Sequence, residues 1–466
     1  MASAQSLRCL VRPTRPIAAP RIPSSFATTS TAVAAFSTTS AASAVNPPAI
    51  KSRSSLSGPA KKNYKKGVAA PVNVKKPGPG ERKAFRKRIQ LSNNSALPVS
   101  GLAVLEAGTM LREDMAGQVV GIPNDVVDQL RTLQAFKPTQ SWGLFRQPHM
   151  LVRRKTVEVM NRLREASDKK TALKMVLTGS RLSGKSVMLL KTMSYALQNG
   201  WVAIHIPEGQ DLTNGHTEYS PIPDTEPMQF AQPVYTLKLL QNILKANQKV
   251  LASLKTEKDW SRLANVNKGD TLADLVASCK ESEYAWPTLE ALWTELTLPG
   301  RPPVLFTLDG LSHVNKLSEY RDPSFNQVHA HDLTLIGMFF DALSGKKALP
   351  NGGAIIAATS ESNNSPHPSQ NLVLAQLEAG QAGQPIPQPD AYGRHDNRIY
   401  DGLKNSRVVR LEGVSKKEAR ALMEYWGASG MVKGVVDHRT VSEKWTLAGH
   451  GLVGEMERAA LLTLKL

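Results

Sequence analysis

Between a mostly apolar run at Ala172–Leu177 and a stretch with Val187, Leu190, Met193 and Leu197 at helical spacing lies Gly179-Ser180-Arg181-Leu182-Ser183-Gly184-Lys185-Ser186. This is G-x-x-x-x-G-K-S, a Walker A pattern set between an expected strand and an expected helix. Its glycines let successive N–H groups turn inward around phosphate oxygens, and the helix opening at Lys185 aims its positive end at the same anions. Lys185 is then expected to reach the β and γ phosphates of a nucleoside triphosphate and Ser186 to ligate Mg2+. Gly179, Ser180, Arg181, Leu182, Ser183, Gly184 and Val187 complete the candidate contacts. Gly200 closes the helix.

A loop of this kind calls for a second acid in the magnesium shell. Pro303-Val304-Leu305-Phe306-Thr307-Leu308-Asp309 is an apolar run ending in a carboxylate, as a buried parallel strand carrying a Walker B Asp would be. Asp309 therefore joins Ser186 as a candidate metal ligand. Gly310 follows where many strand-inserted ATPases carry a water-activating Glu, which argues for tight binding and slow turnover. Glu208, just past the run Val202–Ile206, is a substitute base only if it is more than a solvated loop carboxylate.

Further apolar runs at Ala354–Ala358 and Val408–Leu411 bring the strand count to five, with helical stretches between. The expectation is an α/β fold, a doubly wound five-stranded parallel sheet with helical flanks. Thr359, at the end of the fourth run, stands where a hydroxyl could face a γ-phosphate or simply cap a turn. Asn267-Lys268-Gly269-Asp270 spells the N-K-x-D guanine reader of small GTPases, but it precedes the Asp309 strand and follows a helical stretch. Asp270 or Thr271 capping a helix through Leu272, Leu275 and Val276 explains it better, so the base stays open between guanine and adenine. His205 and His313 lack metal-ligand spacing and read as structural.

Charge divides the chain sharply. Residues 1–100 hold 17 of the 58 Lys and Arg but one acid, Glu81, so most of the formal net charge of +19 is N-terminal. The acid-free start, with Arg8, Arg12, Arg15 and Arg21 among Ser, Ala and Leu, has the composition of a mitochondrial presequence over 1–45, plain disorder being the other reading. No stretch is apolar enough for a membrane span, and matrix import is expected. Over 46–100 an extended basic arm follows, with clusters from Lys61-Lys62 to Arg86-Lys87-Arg88 and Tyr64 and Phe85 interleaved. Such a segment is suited to a phosphate backbone and to stacking on exposed bases. Cys9 and Cys279 alone make neither a disulfide framework nor a zinc site.

Asn124 before Val126, Val127, Leu130 and Leu133 marks a capped helix, and Val152, Val157, Met160 and Leu163 a second, so 101–170 reads as a helical N-terminal region. The nucleotide-binding domain spans 171–412. Within it Ser360–Gln388, rich in Pro, Ser, Gln and Gly, reads as a long surface insertion. Ser415-Lys416-Lys417-Glu418 is a capping box opening a helical C-terminal subdomain over 413–466.

Together, Phe136-Lys137-Pro138-Thr139-Gln140-Ser141-Trp142, Phe145-Arg146-Gln147-Pro148, Ser183-Gly184-Lys185-Ser186-Val187, His205-Ile206-Pro207, Gln232-Pro233 and the Glu418–Trp426 helix resemble the death-associated protein 3 family, in patches from about Leu102 onward. The resemblance leaves out the presequence and arm. It implies a P-loop NTPase fold of the AAA+ type and a place in the mitochondrial ribosomal small subunit. Contacts to small-subunit ribosomal RNA and neighbouring ribosomal proteins, and a possible contact with the large subunit, would follow. So would bound GTP or ATP acting mainly as a structural ligand, with Gly179, Gly184, Lys185 and Ser186 on phosphate and Mg2+, and Asp309 beside them. Two other expectations compete: a matrix NTPase of the remodelling or signalling type, and a free RNA-binding protein using the Lys61–Arg88 arm.

Overall fold

The computed structural model describes residues 89–362, 367–390 and 392–461. The presequence, most of the basic arm with Tyr64 and Phe85, and Cys9 lie outside the described residues.

Five strands form the centre: β1 (Ala172–Thr178), β2 (Val202–Ile206), β3 (Val304–Asp309), β4 (Gly353–Ala358) and β5 (Arg407–Arg410). Their order is β5-β1-β4-β3-β2, and every pairing is parallel. β4 thus separates the strand feeding the glycine loop from the strand ending in Asp309, with Ala358 in register with both Leu177 and Asp309. Strands covered on both faces need apolar residues at nearly every position. β2, β3 and β4 are buried along their whole length.

Alternate strand residues feed two cores. Val176, Ile204, Phe306, Ile355 and Val408 pack with residues of the helices Pro233–Ala246, Ala285–Leu296 and Thr334–Ser344. Met175, Ala203, Leu305, Ile356 and Val409 pack with Asn124–Thr132, Arg154–Asp168 and Lys185–Gln198. A third core joins Phe145 and Leu151 to the C-terminal helices Lys416–Ala428, His438–Leu447 and Val453–Leu461. The expected capping box is present: Glu418 N donates to Ser415 Oγ at 3.3 Å and Ser415 N to Glu418 Oε2 at 2.8 Å. The same Glu418 reaches across with Oε1 to accept from Arg154 N at 3.1 Å, capping a second helix.

Several expectations need correction. Ser360–Gln388 is not a surface insertion throughout, because Pro368–Ala382 is a helix whose Val373 and Leu374 are buried in the core. Residues 89–100 do not belong to an extended arm: Leu91 and Ala96 are buried and Asn93 N donates to Phe145 O at 2.8 Å. The region 101–170 also carries a three-stranded sheet, Ala103–Val104, Val119–Gly121 and His149–Leu151. Asn124 begins its helix without capping it, since Pro123 holds the cap position, and Val152 precedes the second helix.

Candidate functional site

The glycine loop leaves the C-terminal end of β1, the edge where open parallel sheets bind ligands. Gly179 has φ +133°, and a Cβ there would stand 2.2 Å from the Leu411 carbonyl oxygen, so the loop starts hard against the end of β5. Leu182 (φ +65°) and Gly184 (φ +96°) make the later turns, and Gly184 caps the helix that begins at Lys185. A left-handed leucine costs about 1–2 kcal/mol, and long-range bonds hold it. Gly454 N, at the start of the last helix, donates to Leu182 O at 3.2 Å. Arg153 Nη1 donates to Ser183 O at 3.1 Å, while its Nη2 donates to Glu412 O at 2.6 Å and Gly413 O at 3.2 Å.

Within this cradle the Ser183 hydroxyl is buried and has no protein partner. The buried Lys185 ammonium turns back on the carbonyls of Gly179 and, at 2.8 Å, Ser180. Burial lowers its pKa from the usual range, against the pull of Glu361 and Asp309. Glu361 Oε2 accepts from Arg181 N at 2.9 Å, so one loop amide already holds an oxyanion supplied by the chain itself. Ser180 and Arg181 are exposed, and Ser186 and Val187 are half-buried. Gly184 and Val187 line a cavity of about 80 Å³ that Trp142, Leu422, Val453 and Glu457 help to close. Burial pushes the Glu457 carboxyl up to about 7, although it accepts from Ser141 Oγ at 3.2 Å.

Asp309 sits where the sequence placed it, at the end of β3, but its carboxylate is engaged. Lys137 Nζ lies 3.2 Å from Asp309 Oδ2 and 3.1 Å from Glu208 Oε2, and also donates to the carbonyl of Pro207. Burial opposes the charge on Lys137, yet the two carboxylates outweigh it and raise its pKa. Burial raises the pKa of Glu208, and Lys137 pulls it back. The turn at a helix N-terminus with its orphan Ser183 hydroxyl fits phosphate oxygens, although Arg181 N is held by Glu361 and Ser183 N by Ser180 O. The acid side does not fit a divalent cation in this arrangement, because an ammonium already covers the Asp309 oxygen.

The remaining candidates take structural parts. Thr359 donates from both N and Oγ1 to Leu177 O, at 3.0 and 3.3 Å, tying β4 to β1. The His205 ring meets Thr307 Oγ1 at 2.8 Å between β2 and β3. Thr271 caps the helix Leu272–Ser278 in a box with Asp274. Sequence reasoning assigned no role to Lys137, Arg153, Glu361 or Glu457. Only Lys137 carried a signal, standing in the Phe136–Trp142 patch.

The family model "Mitochondrial ribosomal death-associated protein 3" matches residues 150–459. A Neurospora crassa protein named small ribosomal subunit protein mS29 is 46% identical over 475 aligned residues, covering all of both chains. The likeness therefore extends through the N-terminal segment, which the patches of resemblance in the sequence had left out. A Schizosaccharomyces pombe protein of the same name is 25% identical over 69% of this chain and 67% of its own length. The Bos taurus one is 24% identical over 34% of this chain and 36% of its own. With the family model covering the sheet, the glycine loop and the C-terminal helices, the chain belongs to the mitochondrial ribosomal death-associated protein 3 family.

Proposed function

We propose that this protein is a structural component of the small subunit of the mitochondrial ribosome, with a P-loop that holds GTP or ATP as a structural ligand. Family membership makes it a mitochondrial ribosomal protein; the nucleotide, the RNA contacts and the assignment to P-loop NTPases of the AAA+ type are this proposal's own. One observation carries the nucleotide: a loop with left-handed turns at Leu182 and Gly184 surrounds a buried, unpartnered Ser183 hydroxyl at the N-terminus of a 14-residue helix. The strand order β5-β1-β4-β3-β2, with one strand between the loop and Asp309, supports the AAA+ assignment.

In this reading the loop amides and Lys185 bind the phosphates, which requires Lys185 to leave the Gly179 and Ser180 carbonyls. Ser186 stands at the position that a P-loop gives to magnesium, but Asp309 is held by Lys137 and supplies no second ligand in this arrangement. Hydrolysis is slow because Gly310 supplies no carboxylate beside Asp309 and Glu208 is ion-paired rather than free to take a proton. Matrix localisation, rRNA held by the basic N-terminal segment, and neighbouring ribosomal proteins as partners complete the proposal, with the large subunit a further possible contact.

A ligand bound only by the folded state at a thousandfold excess over Kd stabilises it by about 4 kcal/mol. Added GTP or ATP is therefore expected to raise the melting temperature of the full chain, and Lys185→Ala, weakening binding by roughly two orders of magnitude, to cut that stabilisation to about 1.4 kcal/mol. An equal rise in both proteins would refute the loop assignment. Turnover at about 1 per second or faster would favour the remodelling or signalling NTPase instead.

A further inference from the structure

The Phe136–Trp142 turn is built to aim one side chain. Gln140 Oε1 accepts from Lys137 N at 2.9 Å and from Trp142 Nε1 at 2.6 Å, while Gln140 N donates to Lys137 O at 3.1 Å. The Trp142 ring packs edge-on against Phe136 at 5.3 Å between centroids. From this tied turn Lys137 crosses to the C-terminal edge of the sheet. There its ammonium bridges Glu208, which follows β2, and Asp309, which ends β3. The lysine side chain is 16% exposed and that of Asp309 9%. Two carboxylates at the ends of neighbouring strands thus share one monovalent cation, with Lys137 and Asp309 largely out of water and the Glu208 side chain 40% exposed.

A divalent ion on Asp309 would have to displace that ammonium or stand against its charge within a few ångströms, where low local dielectric magnifies the repulsion. We propose that Lys137 takes the place of the divalent cation at this edge, so that the protein binds no metal through Asp309 and holds its nucleotide independently of Mg2+. The exclusion of metal follows from the geometry alone, and the Mg2+-independence of the nucleotide rests on the function proposed above.

The test removes the ammonium from the full chain and keeps a charged control. Mn2+ alone, followed by loss of its free-ion EPR signal, is titrated into nucleotide-free wild type, Lys137→Met, Lys137→Arg and Lys137→Met with Asp309→Asn. Expected is one Mn2+ bound by Lys137→Met at least tenfold more tightly than by wild type or Lys137→Arg, and lost again with Asp309→Asn. Equal Mn2+ affinity in wild type and Lys137→Met, including no binding by either, overturns the proposal. In parallel, fluorescent GTP and ATP analogues are titrated in Mg2+ and in EDTA. Wild-type affinity should change less than about threefold, and that of Lys137→Met should fall at least tenfold in EDTA; a wild type as Mg2+-dependent as the variant overturns the nucleotide half. Absence of any nucleotide binding by wild type sinks the P-loop reading, while the Mn2+ titration still judges Lys137.

Discussion

Two glycines of one loop illustrate how differently the same residue type can be constrained. At Gly179 a methyl group would collide with the Leu411 carbonyl oxygen at 2.2 Å, whereas at Gly184 it would meet nothing within 4 Å. Gly179→Ala should therefore cost about 3 kcal/mol by prising β1 from the end of β5. Gly184→Ala should cost only about 1 kcal/mol, the strain of a left-handed alanine. Urea unfolding of the two variants measures the difference. Spacing marked both residues as loop formers but could not distinguish them, because the Leu411 carbonyl lies far away along the chain. Glu457 was equally invisible, one carboxylate among several in a helical stretch. Its folded pKa of about 7 lies above the ordinary glutamate value of 4.5. The folded state thus keeps a proton that the unfolded chain releases between those values, and stability falls as pH rises from about 4.5 to about 7. Glu457→Gln should abolish that part of the decline, so that its melting temperature exceeds the wild type's above pH 7 and the gap closes toward pH 4.5.

At the scale of elements, the sheet was readable because strands buried on both faces need near-continuous apolar runs, which β2, β3 and β4 approach, although Lys174 interrupts β1 and β5 offers only Val408 and Val409 between two arginines. The helix Pro368–Ala382 was not, since its Gly, Gln and Ser neighbours masked the few apolar positions, Val373, Leu374 and Leu377, that it turns to the core. Residues 89–100 were missed for a related reason. Dense positive charge just before them hid Leu91 and Ala96, single apolar residues with no period to reveal them. The joints between elements lie furthest from sequence legibility. Arg153, at the start of Arg154–Asp168, fastens the loop to the segment after β5 through three carbonyls. Arg153→Ala leaves those carbonyls without this donor and should destabilise the fold by about 3 kcal/mol. Arg153→Lys should recover only part of that, because an ammonium cannot reproduce the planar fork. Denaturant midpoints of the two variants test the ordering.

For the whole molecule, a candidate site was legible in proportion to how locally it is encoded. The glycine loop is eight consecutive residues, and the positive segment declares itself by composition; the pairing of Lys137 with Asp309 exists only once the chain has folded. Deleting residues 46–88 should weaken binding to small-subunit rRNA and make the log–log salt dependence shallower by roughly 0.7 for each phosphate that the segment neutralises. Filter binding across a salt series reads both, and an unchanged slope would remove the segment from the RNA interface. The Leu182–Gly454 bond carries a consequence for biosynthesis. A cradle whose wall is finished by residue 454 has to wait for translation to pass that codon, so a nascent chain with a complete sheet still lacks the receptor's last side. Under the proposed nucleotide binding, capture would fall to finished polypeptides, and a product truncated shortly before that residue is expected to carry no nucleotide.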